Sequence, residues 1–78
     1  MKNKTNIAVK TLGGVIRRER KKLGLTQQEL GNYAGVGINF IYNLEKGKPS
    51  LHLNKVLAVI NVLGLQLKIE YGKGILVE

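Results

Sequence analysis

Apolar residues recur at helical spacing four times along the chain, then switch to alternation. Leu12, Val15, Ile16 and Leu23 line one side of a helix predicted over residues 8–23, and Arg17, Arg18, Lys21 and Lys22 lie largely on the other. Gly13 and Gly14 weaken that helix by roughly 1 kcal/mol each, so it depends on tertiary packing. Gly24 then supplies a C-terminal stop. Thr26 is a suitable N-cap, and Glu29 three residues later completes a capping box. The second helix should end near Ala34, where Gly35 suits a left-handed turn. A third helix fits residues 38–45 and is punctuated by Gly47. Pro49-Ser50 precedes a fourth, over residues 53–63, with Leu53, Val56, Leu57, Ile60 and Leu63 as its core positions. Gly64 closes it. Beyond that point Leu65, Leu67, Ile69 and Tyr71 alternate with Gln66, Lys68 and Glu70, a strand pattern over residues 65–71. Gly72-Lys73-Gly74 allows a turn, and Ile75-Leu76-Val77 could form a second short strand.

The central stretch, residues 24–49, carries the most information. Leu30, Ala34, Val36, Ile41 and Leu44 are spaced so that two short helices pack on each other across a glycine turn. Gly31 falls where the two helices would cross closely. A generic helical hairpin has similar spacing, but glycine at both positions favours a helix-turn-helix. Such a motif presents its second helix to the major groove of DNA.

Composition fits that expectation. Seventy-eight residues make one domain whose single core is only marginally stabilising. No cysteine is present to add disulfides, so stability must come from helix packing or oligomerisation. The net charge is +8 and is unevenly placed: residues 1–24 carry +7 and residues 25–45 carry −2. A strongly basic chain attracts polyanions by long-range field and counterion release. The longest apolar run, Val56-Leu57-Ala58-Val59-Ile60, is far too short for a bilayer, and no export signal is visible, so a cytoplasmic location is expected. The Asn3-Lys4-Thr5 triplet is then a chance match to the glycosylation pattern. With one histidine, His52, and five scattered acids, there is no nucleophile–base set, no metal site and no cofactor motif; an enzyme is not expected.

Gly24-Leu25-Thr26-Gln27-Gln28-Glu29-Leu30, Ala34-Gly35-Val36 and Leu44-Glu45-Lys46-Gly47-Lys48-Pro49 resemble the Cro/C1-type (XRE) helix-turn-helix family over about residues 12–64. Within it the chain is most similar to the small HipB-type antitoxins, including the Y4mF-like group. Phe40-Ile41, Gly47-Lys48-Pro49-Ser50 and Leu63-Gly64-Leu65 carry that likeness. The resemblance implies a mainly α, lambda-repressor-like domain of four or five helices with a C-terminal β-strand that pairs between protomers. It also implies dimeric DNA binding, autorepression and partnership with a HipA-like toxin kinase. The chain divides accordingly into a flexible N-terminus (1–7), the DNA-binding domain (8–64) and a dimerisation strand and tail (65–78).

Site residues follow position by position. Gln27 matches a glutamine that contacts DNA from the start of the second helix and braces the third; Gln28 stands beside it. Arg20 and Glu45 match a buried ion pair between the first and third helices. Base readout falls to Ile38, Asn39, Phe40, Tyr42 and Asn43. Asn39 can bond an adenine edge bidentately, and Ile38 or Phe40 can touch a thymine methyl; core packing is the competing role for Phe40. Gly37 and Ile38 stand where HipB-like proteins commonly have Ser and a basic or polar residue, and Asn43 replaces a frequent acid. Lys46 and Lys48 are the phosphate contacts, with Arg17 and Lys55 as further candidates.

One strand cannot satisfy its own backbone. Residues 65–71 could fold back on 75–77 or pair with the same strand of a second chain, and pairing between chains is favoured because it adds core. Leu65, Leu67, Ile69 and Tyr71 would then form the dimer contact, with two reading heads about 34 Å apart on a palindromic operator. Two functional classes share this reading head: an autoregulatory antitoxin, and a standalone phage-type or metabolic-operon repressor without a toxin.

Overall fold

The computed structural model describes residues 4–48, 52–72 and 74–77; residues 1–3, Pro49-Ser50 ahead of the fourth helix and Lys73 in the predicted turn lie outside the described residues. The order is α1 (Lys4–Lys22), α2 (Gln27–Ala34), α3 (Ile38–Lys46), α4 (Leu53–Val62), β1 (Leu67–Glu70) and β2 (Gly74–Val77). The first helix starts at Lys4, not near residue 8. Residues 4–7 contain no Gly or Pro, and extending an existing helix costs far less than nucleating one.

The adjacent glycines of α1 have unlike surroundings. A Cβ on Gly13 would meet the Leu44 carbonyl oxygen of α3 and come within 2.8 Å of the Glu45 carbonyl oxygen, whereas one on Gly14 would meet nothing. Gly13 therefore sets how closely α1 lies on the end of α3. The C-cap of α3, Gly47, has φ 77° and sits against Lys10 of α1, closing the same contact.

Thr26 caps α2 as expected. Its Oγ1 accepts from the Glu29 amide at 3.0 Å, and Glu29 Oε1 accepts from the Thr26 amide at 2.9 Å. Gly35 ends the helix at φ 72°. A Cβ on Gly31 would lie 2.8 Å from the Val36 carbonyl oxygen and 3.6 Å from Gly37 backbone. The crowding there is with the turn, not with the facing helix as the spacing suggested.

The core is built from Ile16 of α1, Leu30 of α2, Ile41 and Leu44 of α3, and Val56, Val59, Ile60 and Leu63 at the end of the helical region. Leu12, Ala34, Val36, Phe40, Val62, Leu65 and Leu67 pack against it. Three expected core positions are instead exposed: Leu23, Leu53 and Leu57. Leu23 lies past the last residue of α1, in the turn. In α4 the buried stripe is 56, 59, 60 and 63, so its inner face is rotated towards Val59 and away from Leu53 and Leu57.

Within the chain, β1 pairs with β2 as an antiparallel hairpin, with Leu67 opposite Val77 and Ile69 opposite Ile75. The fold-back alternative is thus the pairing observed in the single chain. Gly72, between the two strands, adopts φ 78°, a left-handed conformation that glycine reaches without steric cost. The strand is shorter than the alternation suggested. The Leu65 amide donates to the Ile60 carbonyl at 3.0 Å, closing α4 instead of entering the sheet. Tyr71 already belongs to the turn.

Candidate nucleic-acid interface

One buried ion pair fixes the relation of the three N-terminal helices. Arg20 of α1 donates from Nε to Glu45 Oε2 at 2.7 Å and from Nη2 to Glu45 Oε1 at 3.0 Å, a two-pronged contact with α3. Its Nη1 donates to the Leu25 carbonyl at 2.8 Å, tying in the turn before α2. The hydrogen bond to Glu45, more than their mutual charge, raises the Arg20 pKa above its ordinary value despite the opposing effect of burial. Both side chains are at least nine-tenths hidden from solvent. Losing one would strand the other, so this pair is a structural lock.

Gln27 extends the lock to α2. Its Nε2 donates to Glu45 Oε1 at 3.2 Å, so the first residue of α2 is held to the last turn of α3. An amide nitrogen has two hydrogens, which leaves one for an outside acceptor. Around this bond lies an open cleft lined by Arg17, Arg20, Gln27, Tyr42, Glu45 and Lys46. Since Arg20 and Glu45 neutralise each other, Arg17 and Lys46 give the cleft its net positive charge. Tyr42 is half-exposed on the cleft wall. The Lys46 ammonium lies 4.9 Å from the centre of its ring and, by hydrogen bond first and by charge second, lowers the pKa of the phenol from its ordinary value.

At its other end α3 begins without a side-chain cap. Gly37 is extended, at φ −74° and ψ 158°; its carbonyl accepts the Phe40 and Ile41 amides at 3.1 and 3.3 Å, but it has no side chain to cap the free amides of the first turn. Ile38 and Asn39 follow it, both exposed, and with Ile38 42% accessible. Phe40 has turned inward: it packs on the core, and Lys55 of α4 covers its ring with Nζ 5.8 Å from the centre. Asn43 is half-buried, and its carbonyl accepts the Lys48 amide at 3.1 Å. Lys46, the last residue of α3, and Lys48, two residues beyond it, are both exposed. Gln28 is exposed and donates to Asn32 Oδ1 at 3.0 Å along α2.

The sequence candidates thus separate into two groups. Gln27, Tyr42 and Lys46 share the cleft with Arg17, a residue the spacing marked only as secondary; its position three before Arg20 is the signal that places it there. Ile38 and Asn39 stand at the opposite, exposed start of α3, while Phe40 is half-buried against the core. Of the α1 cations, Arg18 and Lys22 each lie 3.6 Å from Glu19, and such exposed pairs are weak.

Two short helices locked across a glycine turn, the second exposed at its start and flanked by cations, define a helix-turn-helix protein of the DNA-binding type. The helix-turn-helix family model HTH_3 matches residues 16–71, and the chain belongs to that family. It is similar to the protein named "Uncharacterized HTH-type transcriptional regulator y4mF" of Sinorhizobium fredii, with 45% identity over 58 residues that cover 74% of this chain and 76% of the relative. A relative from Methanothermobacter thermautotrophicus, also named an HTH-type transcriptional regulator, is 44% identical over 50 residues, covering 64% of this chain and 72% of its own. Among solved structures, the clp gene regulator ClgR of Corynebacterium glutamicum superposes with a TM-score of 0.64 at 27% identity, over 70% of this chain. The chain spans 58% of that regulator's solved length. Family membership makes this a DNA-binding regulator and not an enzyme. Among the described residues, no helix is long and apolar enough to cross a membrane.

Proposed function

We propose that the chain is a sequence-specific repressor that binds a palindromic operator as a homodimer. The observation that carries this is the arrangement of α3. Its first residues, Ile38 and Asn39, are free of the core, while Arg17, Lys46 and Lys48 supply charge around its other end. Bases would be read by the former and phosphates held by the latter, with Gln27 donating its remaining amide hydrogen to a phosphate. Replacing Asn39 with Ala should relax preference among operator sequences. Lys48→Ala should weaken binding to all DNA and reduce the slope of log affinity against log salt by about 1. Gel shifts on the region upstream of the gene measure both. Equal binding by wild type and both variants contradicts this assignment.

The dimer reading rests on the hairpin. Leu67 packs on the core, but Ile69 is 80% exposed and Tyr71 wholly so. With β2 on one side, the other edge of β1 can pair with its symmetry mate.

The resemblance of the α3 and Gly64 regions to HipB-type proteins supports a further role as the autoregulatory antitoxin of a HipA-like kinase in the cytoplasm. Co-purification of a kinase-like protein from the native host is the expected result; a regulator that purifies alone, from a locus without a toxin gene, would be a standalone repressor.

A further inference from the structure

The exposed start of the reading helix is chemically unusual. Ile38 is the first residue of α3, follows a residue with no side chain, and leaves 42% of its surface accessible. The core has no use for it, since the inward positions of α3 are Ile41 and Leu44. An aliphatic side chain here can neither donate nor accept a hydrogen bond. The major groove offers it one complementary group, the C5-methyl of thymine. The charge at the far end of α3 restricts the occupant further. Exposed Lys46 and Lys48, and Arg17 in the cleft, make that end positive, which favours duplex DNA over an apolar protein surface.

We infer that Ile38 reads a thymine methyl group at one fixed base pair of each operator half-site. This rests on the proposed role as a sequence-specific DNA-binding dimer and adds the chemistry by which one position is chosen. Phe40, the other apolar candidate, is excluded by its packing on the core and by Lys55 across its ring. Asn39, beside Ile38, supplies the hydrogen-bonding contact to an adjacent base. The reading head therefore discriminates one base pair by a methyl group and its neighbour by a bidentate hydrogen bond. Loss of the methyl alone should be felt even though Watson–Crick pairing is unchanged.

The test uses an operator enriched from a random duplex pool with the full-length protein. Each thymine of the half-site is replaced in turn by deoxyuridine, which removes only the C5-methyl, and dissociation constants are measured at one stated salt concentration. At one thymine position, replacement in a single half-site should weaken wild-type binding about fourfold, the value of one buried methyl group. Ile38→Ala should bind the thymine and uracil operators equally, and circular dichroism should show it folded, because the side chain is outside the core. Lys48→Ala should bind both more weakly while keeping the fourfold ratio. Equal wild-type affinity for every uracil-substituted operator would overturn the methyl contact and leave DNA binding standing. So would a fourfold ratio that persists in Ile38→Ala. If no sequence is enriched from the pool, the repressor reading fails and the inference fails with it.

Discussion

Single residues in this chain have roles that their types alone do not reveal, and the adjacent glycines of α1 show it most clearly. Gly13 touches the backbone of α3 and Gly14 touches nothing. Gly14→Ala should therefore stabilise the protein by about 0.5–1 kcal/mol, through helix propensity alone. Gly13→Ala should destabilise it by about 1–3 kcal/mol, because α1 must move off the Leu44 and Glu45 carbonyls. Urea midpoints of the two variants, which should shift in opposite directions, check this. The Tyr42–Lys46 pair offers a test of the cleft. A nearby ammonium favours the charged phenolate, so Tyr42 should ionise at lower pH than an isolated tyrosine. In an alkaline absorbance titration, Lys46→Met should move that ionisation upward. A titration curve identical to wild type would mean that the two side chains do not meet in solution.

At the scale of elements, most of the fold is legible in the sequence because local signals are strong. The Thr26–Glu29 capping box, the left-handed glycines after α2 and α3, and the period change after Gly64 each mark a boundary by local chemistry. Other features depend on partners that spacing cannot name. Leu53 and Leu57 satisfy a helical stripe as well as Val59 does; packing against α2 decides which side is inward. Phe40 fits either surface or core, and Lys55 from a distant helix helps place it inside. Arg17 becomes part of the cleft only once α1 lies across α3. The Arg20–Glu45 pair is 25 residues apart and was accessible only through family resemblance. In the reading helix, the absent cap at Gly37 could be read directly, since glycine has no side chain to bond an amide.

For the whole molecule, charge and specificity are carried by different parts. The helix that would read bases has few charges at its start, and the cations lie at its far end, in α1 and beyond. One such head on a small domain is a weak reader, which a symmetric pair would overcome by doubling the contacts. Ile69→Lys and Tyr71→Lys alter exposed hairpin positions, so the monomer should stay folded while the dimer is lost at micromolar concentration in sedimentation equilibrium. An unchanged dimer would place the symmetric contact elsewhere. If α3 reads bases as proposed, this protein prefers a palindromic DNA sequence. Selection of bound duplexes from a random pool, at a stated salt concentration, shows whether it does. The expected product is a two-fold palindrome with half-site centres about 10 base pairs apart, or a multiple of that spacing. A bound pool no different in sequence from the starting pool would contradict it.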